Sequence, residues 1–164
     1  IKYMKILLLG KNGQLGSDIF DYLNIREQQL EIVAFTRNDL DVSNLEILRE
    51  KLTETDYDIL INCTSIHNTD DIEVNSDLAF KVNAQAVKIM AETSKSKKAK
   101  FYHFSTDYVF GGKKYIEPIH EDSPCAPINV YGSSKALGEH FAREANEKVF
   151  IIRVASLFGV RGAS

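Results

Sequence analysis

The sequence predicts an α/β protein with a doubly wound parallel sheet, and three observations support that prediction. First, five short apolar runs are almost uninterrupted, as expected of strands that are buried on both faces. Second, longer segments with apolar residues at three- and four-residue spacing lie between these runs and predict amphipathic helices. Third, glycine-rich and hydroxyl-rich motifs directly follow the runs, where parallel strands end and ligands bind in folds of this class.

The predicted strands cover residues 6–9, 32–35, 59–61, 101–104 and 149–152. The predicted helices cover residues 15–23, 45–52, 78–93 and 130–145. Because strands and helices alternate, right-handed crossovers and parallel pairing are expected. Residues 105–129 contain all three prolines and are too many for an ordinary connection, which predicts a functional loop.

Composition limits the class of protein. With 164 residues, of which 44% are hydrophobic, the chain can bury one sizeable core, so we interpret residues 1–164 as one domain. The formal charge is −3 without a broad basic surface, which argues against a nucleic-acid partner. No apolar run reaches the roughly 18 residues of a membrane span. Cys63 and Cys125 lack metal-ligand spacing and predict free thiols, hence a cytoplasmic protein.

The connection after the first strand carries glycines at the spacing of a dinucleotide-binding turn, namely Gly10, Gly13 and Gly16. The first permits a tight turn, the second lets backbone N–H groups approach a pyrophosphate, and the third lets the helix pack closely on the strand. No Gly-Lys-Ser/Thr ending follows, which excludes a P-loop. The turn and the alternating elements together predict a Rossmann-type NAD(P)-binding domain.

The end of the second strand bears on the choice of cofactor. NAD-selective sites usually carry an acidic residue here for the ribose 2′-hydroxyl, whereas this chain has Thr36 and Arg37. Threonine does not repel a 2′-phosphate and Arg37 can pair with it, so NADPH is predicted. NADH is the alternative because Asp39 and Asp41 are near, and an ordinary surface arginine is an equally good interpretation of Arg37.

Tyr131 and Lys135 are four residues apart in a predicted helix, so their side chains share one face. A nearby ammonium stabilises a phenolate and should lower the pKa of Tyr131 toward the working range. Tyr131 is therefore predicted to protonate a carbonyl oxygen as a hydride arrives at the carbon.

Two hydroxyl residues follow the fourth strand, Ser105 and Thr106. Either could donate a hydrogen bond to the same carbonyl oxygen, with local capping of the loop as the alternative interpretation.

Three stretches together resemble the dTDP-4-dehydrorhamnose reductases, a family of the extended short-chain dehydrogenase/reductase superfamily: residues 5–16, 105–110 and 129–135. The resemblance implies an NAD(P)H-dependent oxidoreductase that reduces the 4-keto group of dTDP-4-dehydro-L-rhamnose, a step in nucleotide-sugar biosynthesis for surface polysaccharide. It implies that Tyr131 donates the proton and that Lys135 binds the nicotinamide ribose. It also implies that Thr106 acts in catalysis and contacts the substrate together with Asp107.

The same resemblance, with the glycine turn and the second strand end, assigns the cofactor site. Asn83 falls where the superfamily often has an asparagine that supports the active site. The four histidines lack metal-ligand spacing, so no metal site is predicted, and metal dependence stays open. The predicted cofactor-binding residues are Gly10, Lys11, Asn12, Gly13, Gln14, Leu15, Gly16, Thr36, Arg37, Asp41, Val42, Cys63, Thr64, Ser65, Tyr131 and Lys135.

Two departures from the family pattern affect the sugar pocket. The family usually has an aromatic residue after the fifth strand, where this chain continues to Leu157, and residues 64–70 replace a stretch that is normally richer in alanine. These departures leave two alternatives: a related 4-keto-sugar nucleotide reductase and a non-catalytic NAD(P)-binding regulatory subunit. An epimerase or dehydratase of the same superfamily is a third, because it shares the tyrosine and the lysine.

The family carries a smaller C-terminal substrate domain, which lies outside residues 1–164. We therefore expect this chain to be the N-terminal part of a longer protein. The expected partners are a nucleotide sugar and, as an option, a second copy of the chain, with no membrane partner.

Overall fold

The computed structural model describes residues 3–26, 29–67, 69–111 and 116–159. Its strands form one parallel five-stranded sheet in the order β2-β1-β3-β4-β5, which confirms the predicted fold class. Each strand contains the apolar run that predicted it. The strands are β1 (Met4–Leu9), β2 (Leu30–Phe35), β3 (Ile59–Asn62), β4 (Lys100–Thr106) and β5 (Val149–Val154).

The helices are α1 (Gln14–Arg26), α2 (Leu45–Glu54), α3 (Thr69–Val74), α4 (Ser76–Phe80), α5 (Ala86–Ser96) and α6 (Val130–Ala145). A π-helical turn, Lys81–Gln85, joins α4 to α5, so the predicted helix 78–93 contains one irregular turn. The predicted bounds of α6 are those observed. The short helix α3 and a 3₁₀ turn at Asp107–Phe110 were not predicted, because so few residues show no hydrophobic period.

The hydrophobic core lies between the sheet and helices α2, α5 and α6. Leu7 and Leu60 contribute from the central strands and Phe101 from β4, and all three side chains are fully buried. Burying side chains of this size stabilises the fold by roughly 1.5–3 kcal/mol each. No helix in the described ranges is long and apolar enough to cross a membrane.

Two local features place helix α6 over the carboxyl end of the sheet. Asn129 caps the helix, because its side-chain oxygen accepts a hydrogen bond from the Gly132 N–H at 2.7 Å. Gly138 lies against the π-helical turn, where a Cβ atom would overlap with the carbonyl oxygen of Asn83. The absence of a side chain at Gly138 therefore allows α6 to approach α4 and α5 closely.

Candidate active site

A cleft of about 390 Å³ opens at the carboxyl ends of the strands. Its volume is in the range of small-molecule sites, roughly 300–1,000 Å³. The strand order reverses direction between β1 and β3, and ligands bind at such a switch point in doubly wound sheets. Most of the predicted cofactor-binding residues line this cleft: Gly10, Asn12, Gly13, Gln14, Leu15, Thr36, Arg37, Asp41, Val42, Cys63, Thr64, Ser65, Tyr131 and Lys135.

The glycine turn has the geometry that its spacing predicted. Gly10 has a φ of +85°, and its N–H donates to the Phe35 carbonyl at 3.0 Å, which ties the end of β1 to the end of β2. A Cβ atom on Gly16 would overlap with the backbone of Gly10, so the helix could not pack here with any other residue. At Gly13 an added Cβ would meet only the Gly10 carbonyl oxygen, at 3.4 Å, and otherwise open space. A pyrophosphate can therefore approach the first turn of α1, where backbone N–H groups have no partner within the helix.

Lys11 and Gly16 were also predicted to bind the cofactor, but the structure does not bring them to the cleft wall. The Lys11 ammonium lies 3.9 Å from the centroid of the Phe20 ring on α1, a cation–π contact. The Lys11 N–H donates to the Phe35 carbonyl at 3.1 Å. In this conformation Lys11 stabilises the turn. Gly16 contributes to the site by letting helix α1 pack closely against the backbone of Gly10.

The end of β2 holds charges of both signs. Asp39 accepts hydrogen bonds from the Thr36 hydroxyl at 2.7 Å and from the Thr36 N–H at 2.8 Å, and these hold the pKa of Asp39 below its usual value. The Arg37 guanidinium lies 3.7 Å from the Asp41 carboxylate, and 73% of the Arg37 side chain is exposed. The pKa of Asp41 is lowered mainly by hydrogen bonds from Ser43, with a smaller contribution from Arg37. Arg37 is thus only loosely paired and can turn toward a phosphate.

Lys135 is almost fully buried beneath the cleft, where its ammonium donates to the Phe104 carbonyl at 2.6 Å. Burial lowers the pKa of Lys135 to about 8, while the Glu139 carboxylate acts in the opposite direction. The ammonium thus lies under the end of β4, at the floor of the site.

Tyr131 is half-buried one helical turn earlier and packs edge-on against Tyr108, with ring centroids 5.6 Å apart. Burial raises the pKa of Tyr131, and hydrogen bonds with Thr106 and Ser65 only partly offset that effect. The expectation that Lys135 lowers the pKa of Tyr131 is wrong for this structure, because burial dominates and the Lys135 ammonium donates to a backbone carbonyl instead.

The structure distinguishes the two hydroxyls at the end of β4. The Thr106 hydroxyl lies within hydrogen-bonding reach of Tyr131, donates to the Asp107 carboxylate at 3.1 Å and accepts from the Tyr108 N–H at 3.2 Å. The Ser105 hydroxyl is buried at the cleft wall and has no hydrogen-bond partner among the described residues. Thr106 is therefore the hydroxyl that lies beside Tyr131. It also caps the following turn, as the alternative interpretation expected, and its role in catalysis stays a prediction. Asp107 lies beside Thr106 outside the cleft wall.

Asn83 connects the loop after β3 to helix α6. Its side-chain oxygen accepts hydrogen bonds from the Ile66 N–H at 2.9 Å and the Ser65 hydroxyl at 3.3 Å. Its side-chain nitrogen donates to the Ile66 carbonyl at 2.9 Å and to the Ser134 hydroxyl at 3.0 Å. This network holds the cofactor-side loop next to the helix that carries Tyr131, which is the supporting position that the superfamily resemblance implies for Asn83.

Sequence reasoning missed a second buried network beneath the same loop. The Asn62 side-chain oxygen accepts from the Thr64 N–H at 2.9 Å, so its nitrogen is the donor toward His103 Nδ1 at 3.1 Å. His103 therefore carries its proton on Nε2, and burial lowers its pKa well below the usual value. A neutral, buried histidine of this kind has no catalytic charge to offer. The burial of His103 could have been predicted from the sequence, because the alternation of side chains along β4 places His103 on the same face of the sheet as Phe101.

The described residues include no group of three or more His, Cys, Asp or Glu side chains that could hold a metal ion. Cys63 is half-buried at the cleft and Cys125 is exposed, and both are free thiols.

Comparison with known proteins places these observations in a family. The family model described as "RmlD substrate binding domain" matches residues 4–164. A dTDP-4-dehydrorhamnose reductase of Burkholderia thailandensis is 34% identical over 97% of this chain and 52% of its own length. The chain therefore spans about half the length of the curated relatives it matches.

Solved structures agree with this result. The crystal structure of a dTDP-4-dehydrorhamnose reductase from Clostridium acetobutylicum has a TM-score of 0.89 and 37% identity, covering 96% of this chain and 55% of that chain. The dTDP-4-dehydrorhamnose reductase of Bacillus anthracis, solved in complex with NADP, has a TM-score of 0.87 and 35% identity. It covers 95% of this chain and 54% of that chain.

Proposed function

This chain belongs to the RmlD substrate binding domain family, and we propose that it is the dinucleotide-binding part of an enzyme that reduces the 4-keto group of dTDP-4-dehydro-L-rhamnose to give dTDP-L-rhamnose. The observation that carries the proposal is the position of Tyr131 and Lys135 at the cleft that the glycine turn opens, with the Thr106 hydroxyl within hydrogen-bonding reach of Tyr131. A dinucleotide-binding module alone has no need of a buried lysine and a paired tyrosine and threonine at this place.

The cofactor site fits NADPH, with NADH as the alternative. Gly13 and the first turn of α1 would hold the pyrophosphate, Arg37 would meet the 2′-phosphate and Lys135 would bind the nicotinamide ribose. The complex of the Bacillus anthracis relative with NADP supports this choice. When bound, the reduced nicotinamide supplies the hydride that the carbonyl carbon accepts.

The side chains of this chain carry the proton chemistry. The raised pKa of Tyr131 keeps its phenol protonated at neutral pH, so a proton is available for the carbonyl oxygen. The Thr106 hydroxyl next to it would turn its proton from the Asp107 carboxylate to the same oxygen as negative charge develops.

The proposal extends to the whole protein. Residues 1–164 are proposed to form the NAD(P)-binding domain of a longer chain, because the matched relatives are about twice as long. A nucleotide sugar is the proposed substrate. A cytoplasmic location is supported by the two free thiols. Homodimer formation is a further option for the longer protein.

The test is NADPH oxidation by the full-length protein with dTDP-4-dehydro-L-rhamnose. Tyr131→Phe should abolish turnover but leave NADPH binding intact, since the ring is kept and only the hydroxyl is lost. Tyr22→Phe removes a hydroxyl from an exposed side chain on α1 that does not line the cleft, and is the matched control. NADPH binding without turnover of any keto sugar would favour the regulatory-subunit alternative and refute the proposal.

A second candidate is a reductase of a related 4-keto-6-deoxyhexose nucleotide. Leu157 favours it, because this half-exposed side chain lines the cleft near the position where the family usually has an aromatic residue. Parallel assays with dTDP-4-keto-6-deoxyhexoses that differ at one carbon distinguish the two candidates. A higher kcat/KM for another sugar would correct the substrate and leave the reductase assignment in place.

A further inference from the structure

Arg153, on β5, forms a two-pronged ion pair with a carboxylate inside the protein. Its Nε donates to Glu139 Oε1 at 2.9 Å and its Nη2 donates to Oε2 at 2.6 Å. The Glu139 side chain is 1% exposed and that of Arg153 is 14% exposed. A guanidinium binds a carboxylate through two parallel hydrogen bonds that lie in one plane. This ion pair therefore fixes the orientation of the planar Arg153 guanidinium, here called the fork.

The other contacts of Arg153 reach the loop that follows β4. Its guanidinium lies 4.6 Å from the centroid of the Phe110 ring, at the end of the 3₁₀ turn that begins directly after Thr106. Its Nη1 donates to the Glu121 carbonyl at 2.8 Å, and its Nη2 lies 3.7 Å from the Cys125 sulfur. One guanidinium thus contacts both the outgoing and the returning part of this loop.

The loop carries residues of the proposed active site. Thr106 precedes it, and Asp107 and Tyr108 form the turn that Phe110 completes. The Ala126 N–H donates to the Val109 carbonyl at 2.7 Å, so the returning segment of the loop supports the same turn. The Thr106 hydroxyl is bonded to the Asp107 carboxylate and to the Tyr108 N–H, so a displacement of this turn would change the direction of that hydroxyl relative to Tyr131.

Glu139 connects this clamp to the catalytic helix. Tyr131, Lys135 and Glu139 follow each other at four-residue spacing on α6, so they share one face of the helix. The tyrosine that acts on the substrate and the carboxylate that orients Arg153 therefore belong to one rigid element, two turns apart. Arg143 also approaches Glu139, at 3.4 Å, but its side chain is 53% exposed.

We propose that Arg153, oriented by Glu139, is a positioning residue for carbonyl reduction. It holds the Asp107–Phe110 turn at a fixed place relative to α6 and so sets the direction of the Thr106 hydroxyl beside Tyr131. Stability alone gives little reason for such a pair, because buried ion pairs are often replaced by apolar residues without loss of stability. The presence of the ion pair is explained by orientation: the pair with Glu139 fixes the plane of the Arg153 guanidinium, and that guanidinium contacts two parts of one loop. This inference rests on the proposed reductase function for its kinetic consequences.

The kinetic test uses the full-length protein with NADPH and the keto-sugar nucleotide. Arg153→Lys keeps the charge but cannot form the fork, and it should lower kcat/KM for the sugar roughly tenfold to a hundredfold. The Kd for NADPH should stay within about twofold, because no contact of Arg153 is with a residue of the glycine turn or of the β2 end. Arg143→Ala removes the exposed partner of the same carboxylate and is the matched control, with unchanged kinetics. An equal loss of NADPH affinity in Arg153→Lys would overturn the inference.

A second variant separates positioning from folding. Arg153→Met combined with Glu139→Gln removes both charges of the ion pair, so neither partner is left unpaired. Glu139→Gln alone shows how loss of the carboxylate acts through the buried Lys135 ammonium. We expect its melting temperature to exceed that of Glu139→Gln alone, while kcat/KM stays as low as in Arg153→Lys. Recovery of kcat/KM together with stability would show a structural role only and would overturn the inference.

A third measurement does not depend on turnover. Amide hydrogen exchange at the described loop residues 107–111 and 116–125 should be faster in Arg153→Lys than in the wild type, with no change in the glycine turn. Unchanged exchange in the loop would refute the positioning role even if the enzyme is active. Faster loop exchange in a protein that turns over no keto sugar would keep the role of Arg153 and refute the proposed function.

Discussion

Replacing Lys135 by Met should change how the stability of the protein depends on pH. Burial lowers the pKa of Lys135 from 10.5 to about 8. Below about pH 8 the folded state therefore holds a charged ammonium that is less well solvated than in the unfolded state. Lys135→Met removes this cost, so we expect the variant to be more stable than the wild type at pH 7.

The magnitude follows from the two pKa values. Between about pH 8 and 10.5 the unfolded state binds more protons at Lys135 than the folded state, so wild-type stability gains from this residue as the pH rises. The gain is about 1.4 kcal/mol for each pH unit, or about 3 kcal/mol from pH 8 to pH 10. Lys135→Met lacks this gain, and its advantage over the wild type should shrink by the same amount.

Urea unfolding of both proteins from pH 7 to pH 10 measures the difference. The Cys63 thiol, whose pKa burial raises to about 12, stays neutral in the folded state over this range, so its effect cancels between the two proteins. Lys95→Met removes an exposed lysine on α5 and is the matched control, which should leave the pH dependence as in the wild type. A difference between Lys135→Met and the wild type that stays constant from pH 7 to pH 10 would refute the reasoning.

Three further outcomes are expected. Gly138→Ala should lower stability by about 1–2 kcal/mol. The added Cβ overlaps with a backbone atom, the Asn83 carbonyl oxygen, at a cost of about 2–3 kcal/mol, and the gain in helix propensity is only about 1 kcal/mol. Thermal melting checks this, and an unchanged melting temperature would contradict it. Arg37→Ala should raise the Kd for NADPH about tenfold with little effect on NADH, as measured by nucleotide fluorescence, and equal weakening of both would argue against a 2′-phosphate contact. In the native protein a thiol reagent should label exposed Cys125 quickly and Cys63 slowly, because burial raises the pKa of Cys63; mass spectrometry of the labelled protein shows which thiol reacts.

The proton chemistry at Tyr131 shows where a local pattern misleads. A tyrosine and a lysine four residues apart do share one face of α6, as predicted. Their spacing suggested that the ammonium lowers the pKa of the phenol, yet burial raises that pKa and the Lys135 ammonium lies against the Phe104 carbonyl. Solvent exposure and the direction of a long side chain depend on neighbouring elements, so four-residue spacing could not reveal them.

The sequence by itself determined the sheet, its principal helices and the glycine turn. These features depend on signals within one element or one connection: apolar runs, helical periodicity and the spacing of Gly10, Gly13 and Gly16. The cleft-lining residues could also be predicted in large part, because parallel strands end at one edge of a sheet.

Only the tertiary structure decided which groups meet across elements. It placed Thr106 rather than Ser105 beside Tyr131, turned Lys11 toward Phe20 and joined Arg153 to Glu139 across 14 residues of chain. The physical reason is the same in each case. Sequence spacing constrains the positions of side chains along one helix or strand, whereas contacts between elements depend on how those elements pack, and no local pattern records that packing.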